Sequence, residues 1–151
     1  MCDQDHFEDD LKRYSRRDLG AIAAAGFGAA MMLPRAADAA ETSSNDVLIE
    51  TADGECDAFF VTPISGKHPA VLIWPDIFGL RPAFRQMGQR LAESGYSVLV
   101  VNPFYRKQKA PTAEKGANTP ISDVRPLARS LTPTTHTTDA KAFIAWLDSQ
   151  S

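Results

Sequence analysis

One stretch of the 151-residue chain gathers residue types that could do chemistry: Trp74-Pro75-Asp76-Ile77-Phe78-Gly79-Leu80-Arg81. It begins at the end of Ala70-Val71-Leu72-Ile73-Trp74, a continuous apolar run of the kind that forms a strand buried on both faces. Ligand crevices of open α/β sheets form just beyond the carboxyl ends of such strands. There, one acidic residue and two bulky apolar residues ahead of Gly79 can shape a pocket whose backbone N–H groups face a developing oxyanion. The same residues also suit a plain loop in which Ile77 and Phe78 plug the sheet edge. The residue chemistry leaves both readings open.

A nucleophile is harder to find. No two glycines stand four apart, so neither G-x-S-x-G nor G-x-C-x-G occurs, and the sharp strand-to-helix turn that exposes a nucleophile has no candidate. The nearest imitation, Gly54-Glu55-Cys56-Asp57-Ala58, lies where a strand follows instead of a helix, which makes Cys56 a small half-buried strand residue. His68 sits in a turn beside Pro69 and His136 among threonines, both read as solvated loop residues. Neither H-E-x-x-H nor C-x-x-C is present, so no metal site is expected. Arg106-Lys107-Gln108-Lys109 reads as a solvated loop rather than a polyanion site.

The elements that must carry this loop follow from periodicity. Val47–Thr51 and Glu55–Val61, joined at Asp53-Gly54, read as a β-hairpin. After the strand at 70–74 comes a helix from Pro82 to about Glu93, with Phe84, Met87, Gly88 and Leu91 as its inner stripe. Gly95 ends it, and Tyr96–Val101 is a second apolar strand, completing a β-α-β unit with parallel strands. Residues 106–138 are polar and broken by prolines, with room for a short helix near Val124–Ser130. A last helix spans Asp139–Ser149, capped by Thr137 or Thr138, with Ala140, Phe143, Ile144 and Leu147 on one face. This order is the opening half of an α/β sheet protein.

The first 39 residues read differently. Arg16-Arg17 directly precedes an uncharged run, Leu19–Leu33, and Ala37-Asp38-Ala39 supplies a small-x-small cleavage signal. These features predict a twin-arginine export signal cleaved after Ala39, a partnership with the twin-arginine machinery, and a periplasmic or secreted product. The run is shorter than the roughly 20 residues of a spanning helix, so no stable membrane anchor is expected after cleavage. Residues 40–46 then read as a polar linker to a domain at 47–151.

Composition narrows the class. With 44% apolar and 23% charged residues, the chain is neither a disordered tail nor a multi-span membrane protein. A formal charge of −3 gives no basic footprint for nucleic acid, and two cysteines cannot build a disulfide framework.

Residues 47–151 resemble the amino-terminal half of the dienelactone hydrolase family, especially its exported members. The matching stretches include Thr51–Gly54, His68–Arg81 with its Asp-Ile-Phe-Gly loop, Leu91–Tyr96, Val101–Arg106 and Asp139–Leu147. The resemblance implies an α/β-hydrolase fold, truncated before the nucleophile elbow. It also implies cofactor-free hydrolysis of a small ester or lactone by a Cys-His-Asp triad. Ile77 corresponds to the residue whose backbone N–H forms half of the oxyanion hole. Asp76 corresponds to an acidic position, Glu in the best-known members, that interacts with the nucleophilic cysteine. Phe78, Tyr105 and Arg106 fall near the pocket mouth, and Arg125 is a candidate for a substrate carboxylate. The nucleophile and base would lie beyond residue 151, so the chain alone is expected to be inactive. The alternative is a non-catalytic small-molecule binding or interaction module of flavodoxin-like α/β type.

Overall fold

The structure, a computed structural model, describes residues 39–150. The expected export signal, including Arg16, Arg17 and Ala37, lies outside the described residues, and Ala39 opens them as an exposed residue. Strands β1 (Thr42–Thr51), β2 (Gly54–Pro63), β3 (Ala70–Ile73) and β4 (Ser97–Val101) form one sheet in the order β1-β2-β4-β3. β1 pairs antiparallel with β2 and β2 antiparallel with β4, whereas β3 and β4 are parallel. Helix α1 (Pro82–Glu93) connects the parallel pair. After β4 come a 3-10 turn (Gly116–Asn118), α2 (Ile121–Ala128) and α3 (Pro133–Asp148). The antiparallel half of the sheet departs from the all-parallel order of a flavodoxin-like domain.

Alternation along the strands divides the core in two. On one face Ile49, Cys56, Ala58, Phe60, Leu99 and Val101 pack with Phe143 and Leu147 of α3. On the other, Val61, Val98 and Val100 pack with Leu80 and with Ala92 of α1. The period of two along β2 and β4 therefore feeds both helices from the same strands. Gly88 brings α1 close to the sheet, since a Cβ there would stand 3.1 Å from Val100. Met87, expected in the inner stripe, is 48% exposed, and Ala92 takes the buried place.

The hairpin is longer than its apolar alternation suggests. Thr42–Asp46, read as linker, pair in register with Phe59–Pro63. This half of β1 is a polar edge segment. The ladder to β2 holds one edge of its backbone while Ser43, Ser44, Asn45 and Asp46 are exposed, so no apolar signal marks it.

α3 also starts earlier than expected, at Pro133 instead of Asp139. Thr132 is the cap: its hydroxyl accepts the Thr135 N–H (3.1 Å), and Thr135 Oγ1 accepts the Thr132 N–H (2.9 Å), a reciprocal box that Thr137 and Thr138 do not make. The β-branched threonines hide this turn from a propensity reading. The buried face is Asp139, Phe143 and Leu147, whereas Ile144 is 52% exposed.

Asp139, at 0% exposure, is the exception to an apolar stripe. Its carboxylate takes both terminal nitrogens of Arg106 (2.5 and 2.7 Å) and the Tyr105 hydroxyl (2.8 Å). Arg106 also reaches Asp53 at the hairpin tip (2.6 Å), and Tyr105 shares a hydrogen bond with the Thr51 hydroxyl (2.7 Å). Helix, hairpin and the segment after β4 are tied at one carboxylate. Removing one partner of a buried, bidentate pair leaves the other charge uncompensated. Asp139→Ala is expected to lower unfolding stability by about 3–5 kcal/mol. Urea denaturation measures it, and a loss smaller than about 1 kcal/mol, the scale of a surface pair, would contradict the role.

Candidate active site

The loop after β3 is built from its own backbone outward. The Asp76 C=O accepts the Gly79 N–H (2.9 Å), closing a turn, and Asp76 Oδ1 accepts the Phe78 N–H (3.0 Å). Gly79 has φ +70°, in the left-handed region, and a Cβ there would collide with the Thr112 hydroxyl. That hydroxyl in turn reaches the Phe78 carbonyl (3.4 Å). Pro75, Gly79 and Leu80 are buried and anchor the loop, while Asp76 is exposed and Ile77 and Phe78 are half-buried.

The direction of the Ile77 N–H follows. The Asp76–Ile77 peptide is trans, so its C=O and N–H point opposite ways. Because the Asp76 C=O turns toward Gly79, the Ile77 N–H points away from that turn hydrogen bond, and it donates to none of the described residues. Phe78 and Gly79 have spent their donors inside the turn. An unspent N–H beyond the carboxyl end of a parallel strand is suited to an anionic oxygen.

Asp76 itself is not free. Arg81 grips it with both terminal nitrogens (2.5 and 2.9 Å), while its Cζ lies 4.7 Å from the Phe84 ring centre and 5.6 Å from that of Phe78. The Arg81 hydrogen bonds hold the Asp76 carboxyl below its ordinary value of 3.8; burial opposes this, and the Phe78 N–H and the Arg81 charge add to it. Among the described residues, Arg81 is the side chain that bonds to the carboxylate which the resemblance pairs with a sulfur. The signal for this pairing in the sequence is the charge of opposite sign five positions beyond Asp76.

Tyr105 and Arg106, placed near a pocket mouth by the resemblance, are committed to Asp139, Asp53 and Thr51. Burial, set against the Thr51 hydrogen bond, pushes the Tyr105 hydroxyl up to about 12, and Asp139 raises the Arg106 guanidinium further above its ordinary value. Arg125 is exposed on α2. Cys56, expected to be half-buried, is fully buried (0%), and desolvation pushes its thiol up to about 12, far from a reactive thiolate. His68 is not a solvated turn residue: its Nδ1 and Nε2 contact the carbonyls of Gly95 (3.1 Å) and Ser65 (2.7 Å). His136, read as loop, lies on α3 with its ring 5.1 Å from that of Trp74. Among the described residues no three His, Cys, Asp or Glu side chains gather as a metal would require.

A mixed sheet with a β-α-β unit, helices on both faces and a loop site at the carboxyl end of β3 defines an α/β-hydrolase type of fold. The profile of the dienelactone hydrolase family matches residues 56–151, and the chain belongs to that family. Among solved structures, it is similar to a provisionally assigned dienelactone hydrolase from Klebsiella pneumoniae subsp. pneumoniae. That match has TM-score 0.60 and 18% identity over 70% of this chain and 43% of that one. The protein m3DLH matches with TM-score 0.54 and 17% identity, over 69% of this chain and 43% of that one. The chain thus spans under half the length of these structures, and at such identities the likeness shows the fold. A search of curated proteins finds no match.

Because its folded pKa is lowered, Asp76 contributes stability that is present above about pH 3.8 and is lost as pH falls through the lowered value. In carboxyl-detected NMR its titration midpoint is expected below 3.8, returning toward that value in Arg81→Gln. A midpoint unchanged by the substitution would remove Arg81 as the cause.

Proposed function

We propose that this chain is the oxyanion-binding half of a hydrolase that cleaves a small carboxylic ester or lactone. Ile77 donates its backbone N–H to the oxyanion of the tetrahedral intermediate. A cysteine nucleophile with its His and Asp comes from residues outside 1–151, and no cofactor takes part. Residues 1–151 alone are inactive, since a thiol without its base is poorly activated and Cys56 is buried. The observation that carries this reading is the unspent Ile77 N–H beside the spent donors of Phe78 and Gly79. Family membership supports the reaction class.

With an aryl acetate or a dienelactone as substrate, the 151-residue chain is expected to show no hydrolysis above buffer, and Cys56→Ser to change nothing. Turnover that requires Cys56 would overturn the reading. In a chain continued through a G-x-C-x-G elbow, Ile77→Pro removes the N–H and is expected to lower kcat about 10²–10³-fold. An unchanged kcat there would count equally against it.

The same proposal places the protein in the periplasm or outside the cell, exported through the twin-arginine machinery with cleavage after Ala39. The pair Arg16→Lys and Arg17→Lys is expected to retain the precursor in the cytoplasm. Fractionation with N-terminal sequencing tests this, and undiminished export of the double variant would refute it.

A further inference from the structure

We propose that Arg81 is the positioning residue of the oxyanion loop: by forking Asp76 it fixes the peptide plane that aims the Ile77 N–H. The inference rests on the reading of Ile77 given above. An N–H can stabilise a developing charge only if its direction is set before the reaction. That direction belongs to the Asp76–Ile77 peptide plane, and Asp76 is held at three points. Its C=O is bonded to the Gly79 N–H, its Oδ1 to the Phe78 N–H, and both its carboxylate oxygens to Arg81. The first two bonds are internal to a short turn in an exposed residue and compete with water. The third ties the turn to a helix.

Arg81 is suited to that task by its position as well as its charge. It is the N-cap residue of α1, with extended backbone (φ −142°, ψ 170°), and its own C=O accepts the N–H groups of Phe84 and Arg85. Its side chain makes no cap bond to the helix and folds back to Asp76 instead. The side chain is only 15% exposed, against 47% for Asp76, with the Phe84 and Phe78 rings packed near the guanidinium at 4.7 and 5.6 Å. A planar fork packed against two rings is restricted in orientation, which a lysine ammonium would not share. Ordinary exposed ion pairs contribute little because both side chains must be immobilised for one contact. Here the cation is already immobilised by the rings, so the pair transfers the rigidity of α1 to the loop.

Amide hydrogen exchange by NMR on the 151-residue chain tests this directly. In Arg81→Gln the Phe78 and Gly79 amides are expected to exchange about 10–100-fold faster, with Leu99 and Val100 of β4 unchanged. Arg81→Lys should recover only a small part of the protection. Asp76→Asn, which keeps an acceptor for Phe78 but loses the ion pair, should accelerate the same two amides. Combined with Arg81→Gln it should add nothing. Unchanged loop exchange would overturn the proposal, and so would an acceleration shared equally by Leu99. In an ester-hydrolysing chain carrying these residues, Arg81→Gln is expected to lower kcat at least about tenfold with KM nearly unchanged. If the loop amides respond and kcat does not, the positioning by Arg81 stands and the oxyanion role of Ile77 is what falls.

Discussion

A carboxylate with no exposure must be neutralised where it lies, and Asp139 imposes that requirement on the rest of the chain. Water cannot reach it, so Arg106 and Tyr105 must be delivered from the segment after β4, and their outer partners, Asp53 and Thr51, from the hairpin tip. This contact needs β1, β2, β4 and α3 all in place at once. It also explains why the β1–β2 hairpin stays in register with β4: a slip by one residue would invert Cys56, Ala58 and Phe60 to the other face and carry Asp53 away from Arg106.

The register has a consequence for the site. β2 runs against β4, so its amino end, with the hairpin tip, lies at the carboxyl end of β4. β3 is parallel to β4, so its carboxyl end and the Asp76 loop fall on that same edge. The buried ion cluster and the loop therefore share one rim of the sheet. Asn102, fully buried, stiffens the rim between them. Its side chain donates to Asp57 and to the Gln108 carbonyl and accepts the Phe104 N–H, and Phe104 in turn lies against Gly79. The result is a loop backed by packed and hydrogen-bonded groups, in which the Ile77 N–H donates to none of the described residues.

Elements with a strong period were legible in the sequence. The β3-α1-β4 unit, its parallel pairing and the hairpin all follow from apolar runs and glycine turns, and the resemblance located the Asp76 loop. What escaped has a common physical cause: contacts made by polar residues far apart in the chain. The polar half of β1 is a strand because Phe59–Pro63 need a partner, not because its own residues favour one. The first turn of α3 exists through the Thr132–Thr135 box. Asp139 carries no apolar signal of its own, and its burial is understood only once Arg106 and Tyr105 are seen to bond to it. Arg81 falls in this class as well, since its meaning depends on the side-chain path back to Asp76.

Among the described residues, Asp139 and Asp76 are each held through both carboxylate oxygens by an arginine fork, and their difference separates architecture from candidate chemistry. Asp139 is sealed, and its oxygens bond to side chains from other elements, so the fork joins distant parts of the fold. Asp76 is exposed, and besides Arg81 its oxygens bond only to its own loop backbone, so the fork shapes the six consecutive residues Asp76–Arg81. A buried fork that left a donor unspent would incur an uncompensated desolvation cost. At the exposed one, the Ile77 N–H donates to none of the described residues. The same ion pair chemistry, placed at two depths on one rim, closes the protein at one end of it and leaves a directed donor at the other.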